Sequence, residues 1–197
     1  MTGAGANEVA VIVPLKSFRS AKARLSGVLD PQHRAELART MAGAVVAAAG
    51  ELRVLVATDD DEVARWAAAQ DCEVVHTIGL DLDGSVGAAL ETARAGGATF
   101  ALVVHGDLPL ADDLGPLAAE LGPGKLVLVT DRSGDGTNVL GVPLGTAPDA
   151  PFEVAYGVGS AQRHRSRATQ RGWEVVTPDA PAFAHDIDTP DDLEQLP

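Results

Sequence analysis

The feature that most constrains the fold is a regular alternation of strand and helix patterns along the 197 residues. The strand patterns are mostly continuous apolar runs, which are typical of parallel strands buried on both faces. They occupy 8–15, 53–58, 73–77, 99–110, 125–130 and 138–143, with late strands expected at 173–177 and 183–187. Helical patterns lie between them, at 31–49, 60–70, 86–95 and 112–121, from Ser160, and after Thr189. This alternation predicts a single α/β domain over 1–197, with three layers and an open, mostly parallel sheet.

Composition and charge narrow the class of protein further. The net charge of −13 argues against a nucleic-acid or anionic-membrane surface, because binding a polyanion requires a positive field. Cys72 is the only cysteine, which excludes an intrachain disulfide and a thiolate zinc site. No apolar run approaches the roughly 20 residues of a membrane span, and the first residues lack the pattern of a signal peptide. These features predict a cytoplasmic protein.

The candidate functional motifs follow the predicted strands. In open α/β sheets, ligands bind beyond the carboxyl ends of the strands. Lys16, Asp107, the segment 131–138 and the segment 186–188 all fall at such ends. We therefore expect these four motifs to meet at one edge of the sheet.

The first motif is the basic segment LKSFRSAKARL, residues 15–25. It holds two of the chain's three lysines, Lys16 and Lys22, together with Arg19 and Arg24. The segment is neither a GxxxxGK[ST] P-loop nor a GxGxxG dinucleotide loop, so those two classes of phosphate site are disfavoured. We interpret it as a loop whose side chains neutralise a triphosphate; chance clustering of surface charge is the alternative.

Two acidic motifs suggest a divalent cation. Asp107 follows a buried strand and precedes Pro109, a position suited to an oxygen ligand of magnesium, although a simple turn cap is the alternative. In HDIDTPDD, residues 185–192, an extended backbone places Asp186 and Asp188 on one face. Thr189 and the acids after Pro190 match the start of a helix instead. The run therefore divides at Thr189, and replacing Asp192 is expected to cost only about 0.3–1 kcal/mol of stability.

Two glycine-rich segments, DGTN (135–138) and YGVGSAQRH (156–164), offer backbone and hydroxyl donors. Ser160 at a helix start, with Arg163 and the following two residues, is a candidate site for a second small anion. Ordinary loops and a solvated basic helix are the alternative, and Arg167 and Arg171 are expected to be surface charges. His105 is expected to pack within its strand.

These motifs, in this order, resemble the phosphoenolpyruvate/2-phospho-L-lactate guanylyltransferase family of deazaflavin coenzyme F-420 biosynthesis. The resemblance spans about residues 9–196 and rests on VIVPLKSFRSAKARL, GDLPL, DRSGDGTN, YGVGSAQRH and HDIDTPDDL. It implies a nucleotide-diphospho-sugar-transferase-like fold, and transfer of GMP from GTP to a small phospho-acid with Mg²⁺ as cofactor. Self-association as a homodimer is left open.

The resemblance also implies roles for particular residues. The GTP-binding set is Leu15, Lys16, Lys22, Arg24 and Ser85, and the catalytic set is Lys16, Lys22 and Asp107. The metal ligands are Asp107, Asp186 and Asp188. The phospho-acid-binding set is Thr137, Asn138, Gly157, Gly159 and Ser160.

The chain departs from the family pattern at Gly84-Ser85-Val86, where a Gly-Leu-Asn segment is common. Guanine recognition by this segment is therefore an open question. Other acceptors (3-phosphoglycerate, molybdopterin or a sugar phosphate) remain alternatives, as does a non-catalytic nucleotide-binding module. A glycosyltransferase would need a metal-binding DxD, and the DLD at 81–83 is expected to lie in a loop before a helix.

Overall fold

A computed structural model describes residues 8–145 and 151–194 of the chain. The described residues form seven strands and six α-helices. The strands are β1 (Val9–Pro14), β2 (Arg53–Thr58), β3 (Glu73–His76), β4 (Phe100–Val104), β5 (Lys125–Thr130), β6 (Thr137–Pro143) and β7 (Glu174–Val176). The helices are α1 (Pro31–Ala48), α2 (Asp61–Ala69), α3 (Leu82–Ala95), α4 (Gly115–Ala119), α5 (Ser160–Gln170) and α6 (Pro190–Glu194). Three short 3₁₀ helices lie at Phe18–Ser20, Ala23–Leu25 and Pro181–Phe183.

All seven strands belong to one sheet, in the order β3-β2-β1-β4-β6-β5-β7. Every pairing is parallel except those of β6, which runs antiparallel to both β4 and β5. The predicted mostly parallel α/β sheet is thus confirmed. Because β6 is reversed, its first residues lie at the edge where β1, β4 and β5 end.

The apolar runs are continuous because helices cover both faces of the sheet. Along β1, Val11 and Val13 belong to a core cluster that includes residues of α1 and α2. Ala10 and Ile12 belong to the opposite cluster, with residues of α3 and α5. All four side chains are fully buried, so neither face of the strand has a place for a polar residue.

Aspartate caps fix the starts of the main helices. Asp30 accepts a hydrogen bond from the His33 backbone and precedes Pro31, as the sequence predicted for α1. Asp81 accepts from Gly84 N–H, so α3 begins at Leu82 and not at 86. The placement of the DLD motif in a loop was therefore wrong: Asp81 is the N-cap and Asp83 lies in the first helical turn.

Two further predictions of secondary structure were wrong. The helix expected at 112–121 is only the short α4, because the carboxylate of Asp113 bonds to the Gly115 backbone and starts the helix late. The strand expected at 183–187 is absent, since Pro181 starts a 3₁₀ helix that ends at Phe183. The residues that follow are held by isolated bonds, among them Ile187 N–H to Asp107 C=O at 3.3 Å. The prediction of an irregular segment at 144–159 lies partly outside the described residues.

No helix within 8–145 and 151–194 is both long and apolar enough to cross a membrane.

Candidate active site

The predicted motifs meet at the edge of the sheet where β1 and β4 end. A cavity of about 340 Å³ opens there. It is lined by the loop that follows β1 and by the His105-Gly106-Asp107 turn that follows β4, with Leu82 of α3 on another side. The backbone N–H of His105 bonds to Asn138 C=O, which brings the first residues of β6 to the same place.

Lys22 occupies the centre of this edge. Its backbone is left-handed, with φ of 54°, which is uncommon for a residue with a side chain. Its Nζ lies 2.7 Å from Asp107 Oδ2 and 3.0 Å from Asp188 Oδ1, and only 8% of the side chain is exposed. Burial opposes the charge of Lys22, but the two carboxylates outweigh it and raise the pKa of Lys22. Lys22 is thus a fixed positive charge that joins two segments 81 residues apart, at Asp107 and Asp188.

The three aspartates of the predicted metal set are neighbours with unequal environments. Burial and the charges of Asp107 and Asp188 raise the pKa of Asp186. Burial works in the same direction on Asp107, yet the Lys22 and His105 charges hold the pKa of Asp107 below its usual value. Asp188 is half exposed and also bonds to Arg24 at 3.3 Å. The site therefore concentrates negative charge, with Lys22 as its buried counter-ion.

The oxygen atoms of this cluster suit a divalent cation. Asp107 Oδ1 is buried and has no hydrogen-bond partner among the described residues. The repulsion that raises the Asp186 pKa is of the kind that a cation relieves. The described side chains do not by themselves form a ready group of three or more metal-binding residues, because Lys22 lies between Asp107 and Asp188. Carboxylates that hold magnesium in such sites usually share it with phosphate oxygens and water.

Asp192 fixes the position of Asp188. Its Oδ2 accepts hydrogen bonds from the backbone N–H groups of Asp188, at 3.0 Å, and Thr189, at 2.7 Å, and from Thr189 Oγ1 at 2.8 Å. It also forms an ion pair with Arg132. The predicted helix start at Thr189-Pro190 is confirmed. The expectation that Asp192 interacts only with the helix dipole was too narrow, because its carboxylate also binds the backbone N–H of Asp188.

The predicted phospho-acid residues lie beside this cluster, at the start of β6 and of α5. Thr137 Oγ1 is 3.1 Å from Ser160 Oγ, and both residues are buried. Asn138 donates from Nδ2 to Phe183 C=O at 3.1 Å. Its side chain also acts to lower the pKa of Asp186, although burial and the neighbouring carboxylates raise that pKa overall. Asn138, which follows Thr137 directly, thus lies next to both the hydroxyl pair and the acidic cluster.

The turn at 157–159 requires its glycines. Gly157 has φ of 93° and Gly159 has φ of 73°, conformations that other residues adopt at a cost. Gly159 N–H bonds to Asp135 Oδ2 at 2.8 Å, which ties the turn to the 131–136 loop. Ser160 follows directly and begins α5.

Three arginines, two within α5 and one directly after its end, bind backbone carbonyl groups of the preceding segment 151–158. Arg163 donates to the carbonyls of Ala155, Tyr156 and Val158. Arg167 donates to Glu153 and Val154, and Arg171 donates to Pro151. The prediction that Arg167 and Arg171 are merely surface charges was wrong. The proposed second anion site at 163–165 is also unsupported, since Arg163 is engaged by carbonyls and His164 is fully buried.

The remaining predicted residues differ in how closely they approach the cavity. Leu15 and Lys16 line it, and Lys16 is exposed. Ser85 is buried within α3 and does not line the cavity. Gly106 fits against Leu15 so closely that an added Cβ would lie 2.2 Å from Leu15 Cδ2.

Sequence reasoning missed the supporting roles of Asp192, His164 and the α5 arginines. The i, i+4, i+8 spacing of Arg163, Arg167 and Arg171 was a usable signal, because it places all three on one helix face. The segment that this face meets could not be read from the spacing.

The sheet order, with a basic loop after β1 and an aspartate after β4, belongs to an α/β fold of the nucleotide-diphospho-sugar transferase kind. The fold resembles that of a putative nucleotide-diphospho-sugar transferase from Desulfovibrio desulfuricans G20, with a TM-score of 0.74 and 18% identity over 94% of this chain and 84% of that one. A cytidylyltransferase from Leptospira borgpetersenii gives a TM-score of 0.60 and 15% identity over 95% and 84%. At these identities the likeness shows the fold alone.

The model of the family described as "Guanylyl transferase CofC like" matches residues 9–196, and the chain belongs to this family. A phosphoenolpyruvate guanylyltransferase of Conexibacter woesei is 38% identical over 94% of this chain and 85% of its own length. One from Rubrobacter xylanophilus is 36% identical over 95% and 93%. One from Sphaerobacter thermophilus is 33% identical over 94% and 90%. The family resemblance inferred from the five sequence motifs is thereby confirmed.

Proposed function

We propose that this protein transfers GMP from GTP to the phosphate of phosphoenolpyruvate or 2-phospho-L-lactate, releasing pyrophosphate, as a step of coenzyme F-420 biosynthesis. The family and the names of the curated relatives support this proposal, and they favour phosphoenolpyruvate as the acceptor. The structural observation that carries it is Lys22, whose ammonium joins Asp107 to Asp188 beside the basic loop.

The chemistry asks the protein to bring two polyanions together. A phosphate oxygen of the acceptor attacks the α-phosphorus of GTP, and the bond from this phosphorus to the bridging oxygen of the β-phosphate breaks. The acceptor phosphate is already an anion at neutral pH, so the attack requires no strong protein base. Catalysis then depends on positioning and on the neutralisation of charge.

Lys16, Lys22 and Arg24 are the side chains suited to the nucleotide phosphates. Lys16 is exposed on the cavity wall, whereas Lys22 is buried and fixed by two carboxylates. Arg24 is exposed and bonds to Asp188. An exposed cation, Lys16, and a buried one, Lys22, therefore lie on the same loop.

Mg²⁺ would be held by Asp107, Asp186 and Asp188, and it would supply positive charge to the reacting phosphates. Thr137, Ser160 and the turn at Gly157–Gly159 would bind the phospho-acid. Asn138, whose side chain acts on the pKa of Asp186 and which directly follows Thr137, would help to hold the metal site and the phospho-acid site in place relative to each other.

Pyrophosphate release with GTP tests the proposal, using phosphoenolpyruvate, 2-phospho-L-lactate and 3-phosphoglycerate as separate acceptors. We expect turnover with one of the first two and its loss when Mg²⁺ is chelated. Absence of release with both would refute the proposal, whereas release with 3-phosphoglycerate alone would reassign the acceptor.

Asp107→Asn should lower turnover by about a hundredfold or more, because the loss of charge stabilisation at such a site amounts to several kcal/mol. Asp112→Asn is the matched control. Asp112 is exposed on the same loop, and its carboxylate accepts only from the adjacent Asp113 backbone. The turnover of Asp112→Asn should therefore equal that of the wild type.

A further inference from the structure

A buried hydrogen-bond chain runs from the backbone of Ala155 to the predicted phospho-acid site. Ala155 N–H lies 2.8 Å from His164 Nε2, and His164 Nδ1 lies 3.0 Å from Thr137 Oγ1. Thr137 Oγ1 in turn lies 3.1 Å from Ser160 Oγ. His164 is fully buried, with Thr137 and Ser160 only 2% and 1% exposed, so bulk water has little access to this chain.

These hydrogen bonds determine which ring nitrogen of His164 carries the proton. A backbone N–H can only donate, so Nε2 must accept from Ala155 and has no proton of its own. Burial, together with the charges of Arg167, Arg163 and His105, lowers the pKa of His164 to about 4, so the ring is neutral at neutral pH. The single ring proton is therefore on Nδ1, and Nδ1–H donates to Thr137 Oγ1.

The direction of the bond between His164 and Thr137 determines whether the Thr137–Ser160 hydroxyl pair has a hydrogen free to donate to a ligand. Thr137 and Ser160 together have two hydroxyl hydrogens, of which one is used in the bond between them. Because His164 donates into the pair, the second hydrogen remains available. If Nδ1 accepted instead, it would take that hydrogen, and the pair would have no donor left for an anion.

We propose that His164 is a positioning residue that makes the Thr137–Ser160 hydroxyl pair donate a hydrogen bond to the phospho-acid substrate. This inference rests on the proposed function, since it assigns the phospho-acid to this pair. Both residues are almost fully buried, and the turn at Gly157–Gly159 directly precedes Ser160. Val158 in this turn is 89% exposed, so the hydroxyl pair lies next to a solvent-exposed part of the chain.

Two substitutions separate the donor role of His164 from its packing role. In His164→Asn, the amide N–H lies close to the place of Nδ1 and can still donate to Thr137. In His164→Gln, the amide oxygen lies close to the place of Nε2 and can accept from Ala155, but the donor to Thr137 is lost. Both variants lose imidazole volume, so their melting temperatures report how much each disturbs the fold.

The experiment measures KM for phosphoenolpyruvate and 2-phospho-L-lactate, KM for GTP, and melting temperature in both variants. We expect His164→Gln to raise the phospho-acid KM by about tenfold to a hundredfold, the range for losing a hydrogen bond to a charged group, with KM for GTP unchanged. His164→Asn should retain a phospho-acid KM close to that of the wild type. Equal phospho-acid KM values in the two variants would overturn the proposal, because the role of His164 would then be packing alone.

Two further measurements make the proposal independent of turnover. Long-range ¹H–¹⁵N spectra of the ligand-free protein at neutral pH should show a protonated Nδ1 on His164, and a protonated Nε2 would overturn the proposal. Calorimetric titration with phosphoenolpyruvate should give the same ranking of variants as the KM values. If wild type and His164→Asn bind phosphoenolpyruvate more tightly than His164→Gln, but the wild type releases no pyrophosphate, the proposed function fails and the role of His164 stands. If the wild type is active and the ranking is absent, only the role of His164 fails.

Discussion

Asp192 offers the sharpest test of how the acidic cluster is held in place. Its carboxylate accepts three hydrogen bonds from Asp188 and Thr189 and pairs with Arg132, while only 17% of its side chain is exposed. Asp192→Ala removes all four interactions. Asp191, its neighbour in the first turn of α6, is exposed, and Asp191→Ala is the matched control.

The expected cost follows from the number of bonds. Three hydrogen bonds at about 0.5–1.5 kcal/mol each, with an ion pair to the partly exposed Arg132 worth about 0–1 kcal/mol, give about 1.5–5.5 kcal/mol for Asp192→Ala. Since Ile187 is fully buried, the segment cannot detach without exposing core surface. For a chain of this length the melting temperature should fall by about 3–22 °C. Asp191→Ala removes only a helix-dipole charge, about 0.3–1 kcal/mol.

The effect of Asp192→Ala should depend on pH with a defined sign. Partial burial acts against the charge, but the bonds from Asp188 and Thr189 and the charge of Arg132 hold the pKa of Asp192 below its ordinary value of 3.8. A carboxylate whose pKa is lowered by folding stabilises the protein above the unfolded-state pKa, and this contribution is lost as the pH falls through the folded-state pKa. The difference in stability between wild type and Asp192→Ala should therefore be full at pH 7 and shrink below about pH 4.

Turnover should fall as well, because the backbone bond from Asp188 to Asp192 positions the carboxylate that Lys22 contacts. We expect kcat/KM to fall by about tenfold to a hundredfold in Asp192→Ala, as a small misplacement in an active site typically costs. Thermal melts between pH 3 and 7 and pyrophosphate release check both parts. If Asp192→Ala matched Asp191→Ala in melting temperature and in turnover, the assignment of Asp192 as the support of Asp188 would be refuted.

Three other substitutions test the remaining parts of the site. Lys22→Met leaves Asp107 without its counter-ion, so turnover should be lost and melting temperature at pH 7 should fall; unchanged turnover would exclude a catalytic role for Lys22. Arg167→Gln should raise amide hydrogen exchange within 151–158, because two carbonyl bonds of that segment are lost, whereas Arg65→Gln, on the solvent side of α2, should not. His164 is neutral when folded and has a pKa lowered to about 4, so the unfolded chain binds the extra proton and stability should fall as pH drops from about 6.5 to 4, by at most about 1.4 kcal/mol per pH unit. His164→Asn should remove this dependence, and a wild-type stability that is flat over the same range would contradict the buried neutral ring.

The sequence alone was sufficient for the local features of the fold. The continuous apolar run of β1 indicates a strand covered on both faces, and Asp30-Pro31 indicates the start of α1, since both patterns depend on neighbouring residues only. The rule that ligands bind beyond the carboxyl ends of strands correctly brought Lys16 and Asp107 to one edge, whereas Asp188 reaches this edge without the strand that was expected before it. The family resemblance, recognised from the order of the motifs, then supplied roles for their residues, which spacing alone cannot supply.

Tertiary structure decided how these local features meet. The reversal of β6 depends on the path of a connection and not on the composition of the strand, yet it brings Thr137 to the edge where β4 ends. The partners of Lys22 and Asp192 depend on contacts between segments remote in sequence or on the exact course of a turn. The ring proton of His164 is set by Ala155, whose backbone lies in a segment that Arg163, Asp83 and the burial of Phe152 hold in place. A sequence records which groups can donate and accept, whereas the folded chain determines which of them lie within hydrogen-bonding distance.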